Sequence, residues 1–445
     1  MKRNLLFATA SVLALTAGAA FAADSNTVYL NQSGDNQKAD VSQSGNGNTV
    51  GSFNGNTGFD QDNGSLTGAN ILKVTQSGDG NSVGRDIKGK QSGAANSAEI
   101  VQAGKNSDVE LQQTGTSNGA VPAGWNWTND SGVFNKITQD LSSNGSKVSV
   151  IQDGNNNVFS IKQGNTSNST SVNQTGEWGM AYVRQGLGAA EADASTGNAL
   201  PTGGNYNVAS IAQNNAGLNY AVAVQGGGNS NSLSISQSGN LQGANAWQNG
   251  NTNVFSSIQT NVGNVVGVTG GIVNGTDSPI TQTGDSNTYI NTQTGTYNSA
   301  NGTQTGNVNQ VFNTQSGNNE TLKGTQAGTY NYVSNIQAGS SNLLDYKQTN
   351  TVSTAFNQII NDQSATAVSN TAYVVQDGNG LYSKGSQTAG SFNSADVNQV
   401  GQYSASYYTQ SGSSNGIIVA QVGNYNVSNV NQVGTGNHAN IQQKP

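Results

Sequence analysis

The chain has 445 residues, of which 33% are hydrophobic and only 9% charged, with a formal net charge of −7. Lys and Arg together number 16, too few and too scattered for a nucleic-acid surface; the absence of cysteine excludes disulfide staples and thiolate metal sites, and the single histidine, His438, excludes a histidine-cluster metal centre. The apolar content is too low for an ordinary core and the charge too low for a typical disordered chain, so 59 Gly among abundant Asn, Gln, Ser and Thr point to stacked β-structure.

In chain order, residues 1–22 read as a signal peptide. Lys2 and Arg3 precede an apolar stretch from Leu5 to Ala20, and Ala20-Phe21-Ala22 suits cleavage. The mature chain, 23–445, is expected to be exported. A short unit begins at Gln32 and Gln43 and recurs to Gln443. It is cleanest where Gln282, Gln293, Gln304, Gln315, Gln326, Gln337 and Gln348 stand 11 residues apart. Six of these open a Gln-x-Gly triplet, and five of the six have Asn at +5: Asn287, Asn298, Asn309, Asn331 and Asn342. The beat is interrupted near 51–69, 119–135, 187–206, 261–278 and 349–372, which read as loops inserted at turns.

The consensus is Φ-x-Gln-x-Gly-x-x-Asn-x-Φ, with Φ an aliphatic residue or Tyr. Asn, both Φ positions and Gln fall two apart, so they share one face of a strand. Gly-x-x-Asn supplies the turn, Gly accepting a positive φ and Asn tolerating one. Helix is the competing reading of an 11-residue repeat, but glycine in every unit and a spacing of two argue against it. The spacing predicts an all-β solenoid of strand–turn–strand–turn coils, two units or 22 residues each, with two facing parallel sheets. At ~4.8 Å per coil, roughly 14–17 coils make a rod on the order of 70–80 Å long.

Gln and Asn then point inward with Val, Ile and Ala. A buried amide without partners costs ~1–3 kcal/mol, whereas stacked identical amides bond one another. That accounts for the strict period, and it nominates the eleven inward Gln and Asn from Gln282 to Asn342, Gln348 aside, as an amide-ladder core. Charges normally guard sheet edges, yet Val397 to Gln443 carries no Lys, Arg, Asp or Glu. This nominates Gln410, Asn415, Gln421, Asn426, Gln432, Asn437 and Gln443 as a polymerisation end.

The unit Gln293-Thr-Gly-Thr-Tyr-Asn298-Ser-Ala300-Asn-Gly-Thr-Gln304 resembles the curlin repeat of bacterial curli subunits, as does Gln432-Val-Gly-Thr-Gly-Asn437-His-Ala439-Asn-Ile-Gln-Gln443. The resemblance implies a secreted functional amyloid that forms biofilm matrix and adheres to surfaces. It implies self-assembly as a homopolymer, a nucleator subunit, an outer-membrane secretion channel, and matrix or host-surface ligands. No catalytic, cofactor or metal residues are expected.

Other classes make different demands. A carbohydrate-active β-helix enzyme needs clustered carboxylates; the candidates are Asp60, Asp62, Asp153, Glu177, Glu191, Asp193 and Asp377, of which Asp153 and Asp377 take the x of Gln-x-Gly, a turn position, and Asp60 and Asp62 sit in an insertion. A non-polymerising adhesin could use Trp125, Trp127 and Trp178, which equally suit local packing of a loop. An ice-binding rod needs flat threonine arrays; Thr281, Thr292, Thr303, Thr314 and Thr325 form one, split between two faces. In Tyr407-Tyr408, alternation sends one ring inward.

Overall fold

The structure, a computed structural model, describes residues 25–51, 58–64, 66–85, 88–119, 135–140, 142–187, 199–269, 276–350, 355–364 and 366–444. The signal-peptide segment, Trp125 and Trp127, and Glu191 and Asp193 lie outside them. The described chain is all-β and winds into a parallel β-solenoid of about 16 turns. At ~4.8 Å per turn the rod is about 75 Å long.

Each turn contributes one rung to each of two facing sheets. The first sheet starts at Thr27–Val28 and Leu30–Ser33 and ends at Val427–Val433. The second starts at Lys38–Gln43 and ends at His438–Gln443. Pairing is in register throughout the regular region: Gln282 lies opposite Gln304, and Gln304 opposite Gln326. Ser299–Asn307 shows why these residues form strands. Ala300 and Gln304 face a dry interior, Ser299, Asn301 and Thr303 face out, and Asn298 begins the inward row. Some strands, such as Ser169–Gln185, run through a corner from the first sheet into the second.

Glycine serves the two corners for different reasons. Gly306, leading back to the first sheet, has φ of 106°. Gly317, in the opposite corner, is not left-handed, but a Cβ there would collide with the carbonyl oxygen of Gly339 one turn on. The expectation that the corner Asn takes a positive φ needs correcting. The residue before it does so: Ser286, Tyr297, Val308 and Tyr330 all have φ between 56° and 58°. Asn is instead extended into the strand, because its side chain has a bonding duty described below.

Several segments read as interruptions contain regular rungs. Within 51–69, Phe59–Asp62 pairs with Leu30–Ser33 and with Lys90–Ser92. Within 261–278, Val265–Val266 pairs on both sides, and within 349–372, Asn357–Gln363 is a full rung. These rungs keep the inward alternation but lack the Gln-x-Gly landmark, since Asn63 stands two after Gln61 and Ala365 two after Gln363.

The main core is a thin column of Val, Ile, Leu, Phe and Ala along the axis. A second apolar cluster lies on the outer side of the second sheet. Val158, Met180, Tyr182, Tyr220, Val222, Val224 and Trp247 point away from the axis yet are buried with Leu187, Leu200 and Val268. Arg184 is buried beside them, its guanidinium 3.7 Å from the ring centroid of Tyr182. The expected polar outer face fails here, because Leu187, Leu200 and Val268 pack against it.

Candidate functional site

The inward glutamines form two continuous columns, one per sheet. In the second sheet, Gln282 Nε2 donates to Gln304 Oε1 at 2.9 Å, Gln304 to Gln326 at 2.8 Å, and Gln326 to Gln348 at 2.9 Å. In the first, Gln259 donates to Gln293 at 3.1 Å, Gln293 to Gln315 at 2.8 Å and Gln315 to Gln337 at 3.0 Å. Each amide has a second donor hydrogen, and it too is used: Gln304 Nε2 also reaches the Thr288 carbonyl across the core at 3.0 Å. The amide is therefore tied up, down and across without water.

The columns bridge the inserted segments. Gln113 donates to Gln152, 39 residues on, and Gln185 to Gln225, 40 residues on, instead of the regular 22. Gln139 and Gln363 belong to the columns although neither opens a Gln-x-Gly triplet. The signal that identifies Gln363 is Asn357 six residues before it, the same interval as Asn298 to Gln304.

The corner asparagines do something different. Asn287, Asn298, Asn309, Asn331 and Asn342 are all buried, but their stack runs mainly through the backbone. Asn287 Oδ1 accepts the backbone N–H of Asn309 at 3.0 Å, and its Nδ2 donates to the Gly306 carbonyl at 2.7 Å. Asn298 Nδ2 donates likewise to Gly317 at 3.0 Å. Asn287, Asn298 and Asn309 each clamp successive corners in this way, whereas Asn331 Nδ2 donates to the Asn309 side-chain oxygen at 2.9 Å. A further amide column was hidden by the expectation of an apolar residue two before Gln. Asn291, Asn313, Asn335 and Asn361 stack there, with Nδ2–Oδ1 distances of 2.6, 2.7 and 2.8 Å.

The two ends of the rod are unlike. Of the residues assigned to the C-terminal end, Gln410, Asn415 and Gln421 are buried one turn below the rim; Asn426, Gln432, Asn437 and Gln443 stand on it. Gln432 and Gln443 keep their cross-core bonds to the carbonyls of Gly416 and Val427, both 3.0 Å, but have no glutamine to donate to. At the other end, Gln32 and Gln43 donate onward at 2.8 Å, and no described residue donates to their Oε1 atoms. One end thus presents amide donors and the other amide acceptors.

The carboxylates weighed for catalysis are distributed rather than clustered. Asp60 pairs with Lys88 and accepts from Asn31 at 2.9 Å; Asp153 accepts from Thr114 at 2.6 Å; Glu177 accepts from Asn155 at 3.2 Å. The threonines separate as expected, Thr281 over Thr303 over Thr325 in the second sheet and Thr292 over Thr314 in the first. Tyr408 points inward and is buried, while Tyr407 faces out. Trp178 occupies a left-handed corner.

The family described as curlin associated repeat matches residues 90–115. That span is a little over one turn and holds Gln91, Gln102 and Gln113, all members of the columns. No curated protein matches the chain. In its repeat, the chain resembles the curlin-repeat family.

Proposed function

We propose that this chain is a secreted structural protein whose copies stack end to end into curli-like amyloid fibres outside the cell. The fibres serve as biofilm matrix and for surface adhesion. The curlin repeat supports an extracellular structural role, and by that resemblance the partners are further copies, a nucleator subunit and an outer-membrane channel.

The complementarity of the ends supports assembly most directly. Placing one copy on the next sets Gln432 under Gln32 and Gln443 under Gln43, with donors meeting acceptors. The same placement sets Val430 under Leu30, Ala439 under Ala39 and Ile441 under Val41, all of which line the core wall. It sets Lys38 over His438 and Asp40 over Asn440, so no like charges meet. Unsatisfied strand edges of this kind recruit matching strands.

The test is incubation of purified residues 23–445, followed by electron microscopy and fibre diffraction. Fibres with a ~4.8 Å meridional reflection are expected. Material that stays as single particles lacking that reflection would refute the proposal and favour a non-polymerising rod. Thermal hysteresis would then separate an ice-binding rod from an adhesin.

A further inference from the structure

One corner of the regular region departs from the asparagine pattern. Glu320 occupies the place of the clamp Asn and is 0% exposed. Its backbone N–H donates to Asn298 Oδ1 at 2.9 Å, as a corner residue should. Its Oε2 accepts the Asn342 backbone N–H at 3.0 Å, and its Oε1 accepts from Asn342 Nδ2 at 3.3 Å.

The remaining contact differs from that of asparagine. In the corner below, Asn298 Nδ2 donates to the Gly317 carbonyl at 3.0 Å. In the corner above, Asn342 Nδ2 donates to the Ala367 carbonyl at 3.2 Å. At Glu320 the equivalent atom is Oε1, and a Cβ built on Gly317 would strike both it and the Gly339 carbonyl oxygen. So the column asks for a donor where Glu320 puts an oxygen. A protonated carboxyl provides one, its O–H facing the Gly339 carbonyl; a carboxylate sets acceptor against acceptor in a dry site.

We propose that Glu320 is a pH-sensitive rung: protonated, it completes the asparagine column as donor and acceptor, and ionised, it loosens the turns on either side. Among the described residues, only the two Asn342 bonds favour the charged form. Residues 286–319 contain no Lys, Arg, Asp or Glu. On the strands flanking the corner, Lys323, Asp345 and Lys347 sit at outward positions, and Tyr297 in the corner below projects into solvent. No ion pair joins Glu320 to any described residue. Burial pushes the carboxyl up to about 7, against the opposing pull of the two Asn342 bonds. A carboxyl that holds its proton more tightly folded than unfolded supports the fold fully below its ordinary value of 4.5, and that support is lost as pH rises through about 7. The solenoid should therefore be tightest in mildly acidic surroundings. This rests on the fold alone and stands whether or not copies assemble.

The test is hydrogen exchange on the full chain, comparing amides of turns 316–345 with those of turns 394–424 after correction for intrinsic rates. Between pH of about 5.5 and 8.5, protection around Glu320 should fall roughly 10- to 100-fold relative to the distant turns. Glu320→Gln and Glu320→Asn should each abolish the fall. Carbon NMR of glutamate-labelled wild type needs no variant: one buried carboxyl should be protonated at pH of about 5.5 and titrate near neutrality. A relative protection independent of pH, an undiminished fall in Glu320→Gln, or a Glu320 carboxyl ionised throughout would overturn the proposal.

Discussion

An amide side chain removed from water needs a partner for each of its two N–H hydrogens and for its oxygen. Gln304 meets all three demands, from Gln326, the Thr288 carbonyl and Gln282. Lysine at this position would bring an ammonium into a buried column and leave Gln282 Nε2 without its acceptor. Gln304→Lys and Gln326→Lys should each cost about 3–5 kcal/mol, seen as a lower denaturant midpoint of the soluble chain. Midpoints matching the wild type would remove the amide-ladder argument. The inward Gln positions were legible because the period of 11 is unbroken across them. The Asn361 column was not, because nothing in one unit distinguishes an Asn that stacks in the core from an Asn that faces water; only its neighbours above and below decide.

At the scale of one strand, inward volume is balanced between successive rungs. Tyr346 is buried at the position opposite Gly324, and a Cβ on Gly324 would strike its ring. Tyr408 stands in the same relation to Gly385. The large ring leans into the space its glycine neighbour leaves. Gly385→Val should destabilise by about 1–3 kcal/mol through overpacking. Tyr408→Ala in the same chain should recover part of that loss, with a coupling of about 0.5–3 kcal/mol in a double-mutant cycle. Additive effects would show that the two positions do not share one space. Corners carry a different cost. Tyr403 and Tyr425 both occupy left-handed conformations, which bulky residues adopt reluctantly, and their rings stack at 5.5 Å. Alternation predicted that one ring of Tyr407-Tyr408 faces inward; it is Tyr408, two before the inward Gln410, and what makes room for it is a glycine one turn away.

At the scale of the molecule, the rod is polar, and the polarity is that of its amides. If copies stack as proposed, Asn31 and Asn431 of successive copies lie side by side on the outer face. The chain has no cysteine of its own. Adjacent parallel rungs at ~4.8 Å fall inside the Cα range of ~4.4–6.8 Å that disulfides bridge. Oxidised fibres of Asn31→Cys/Asn431→Cys should therefore run as a ladder of covalent multimers on denaturing gels, while each single variant yields dimers at most. No ladder from well-formed fibres would exclude this register. Deleting 397–443 removes the charge-free rim, and the new edge carries Asp377 and Lys384. Fibre growth by that truncated chain should be slower; unchanged lag and elongation would mean that the rim has no special role.

The sequence alone determined the strand, the inward Gln and the two-unit turn, because each follows from the spacing of residues within one period. It fixed the parallel register as well, since an amide column closes only when like lies over like. The tertiary structure decided which irregular segments still supply a rung, as with Phe59–Asp62 and Asn357–Gln363. It decided that the corner Asn clamps backbone at most turns and adds an amide-to-amide bond only at some, such as Asn331 on Asn309, and that part of the outer face is covered. It also turned Glu320 from one more missing Asn into a buried acid. The division has one physical cause. Alternation and turn chemistry are local to the chain, whereas burial and hydrogen-bond partnership belong to the neighbouring turns, which lie 22 or more residues away.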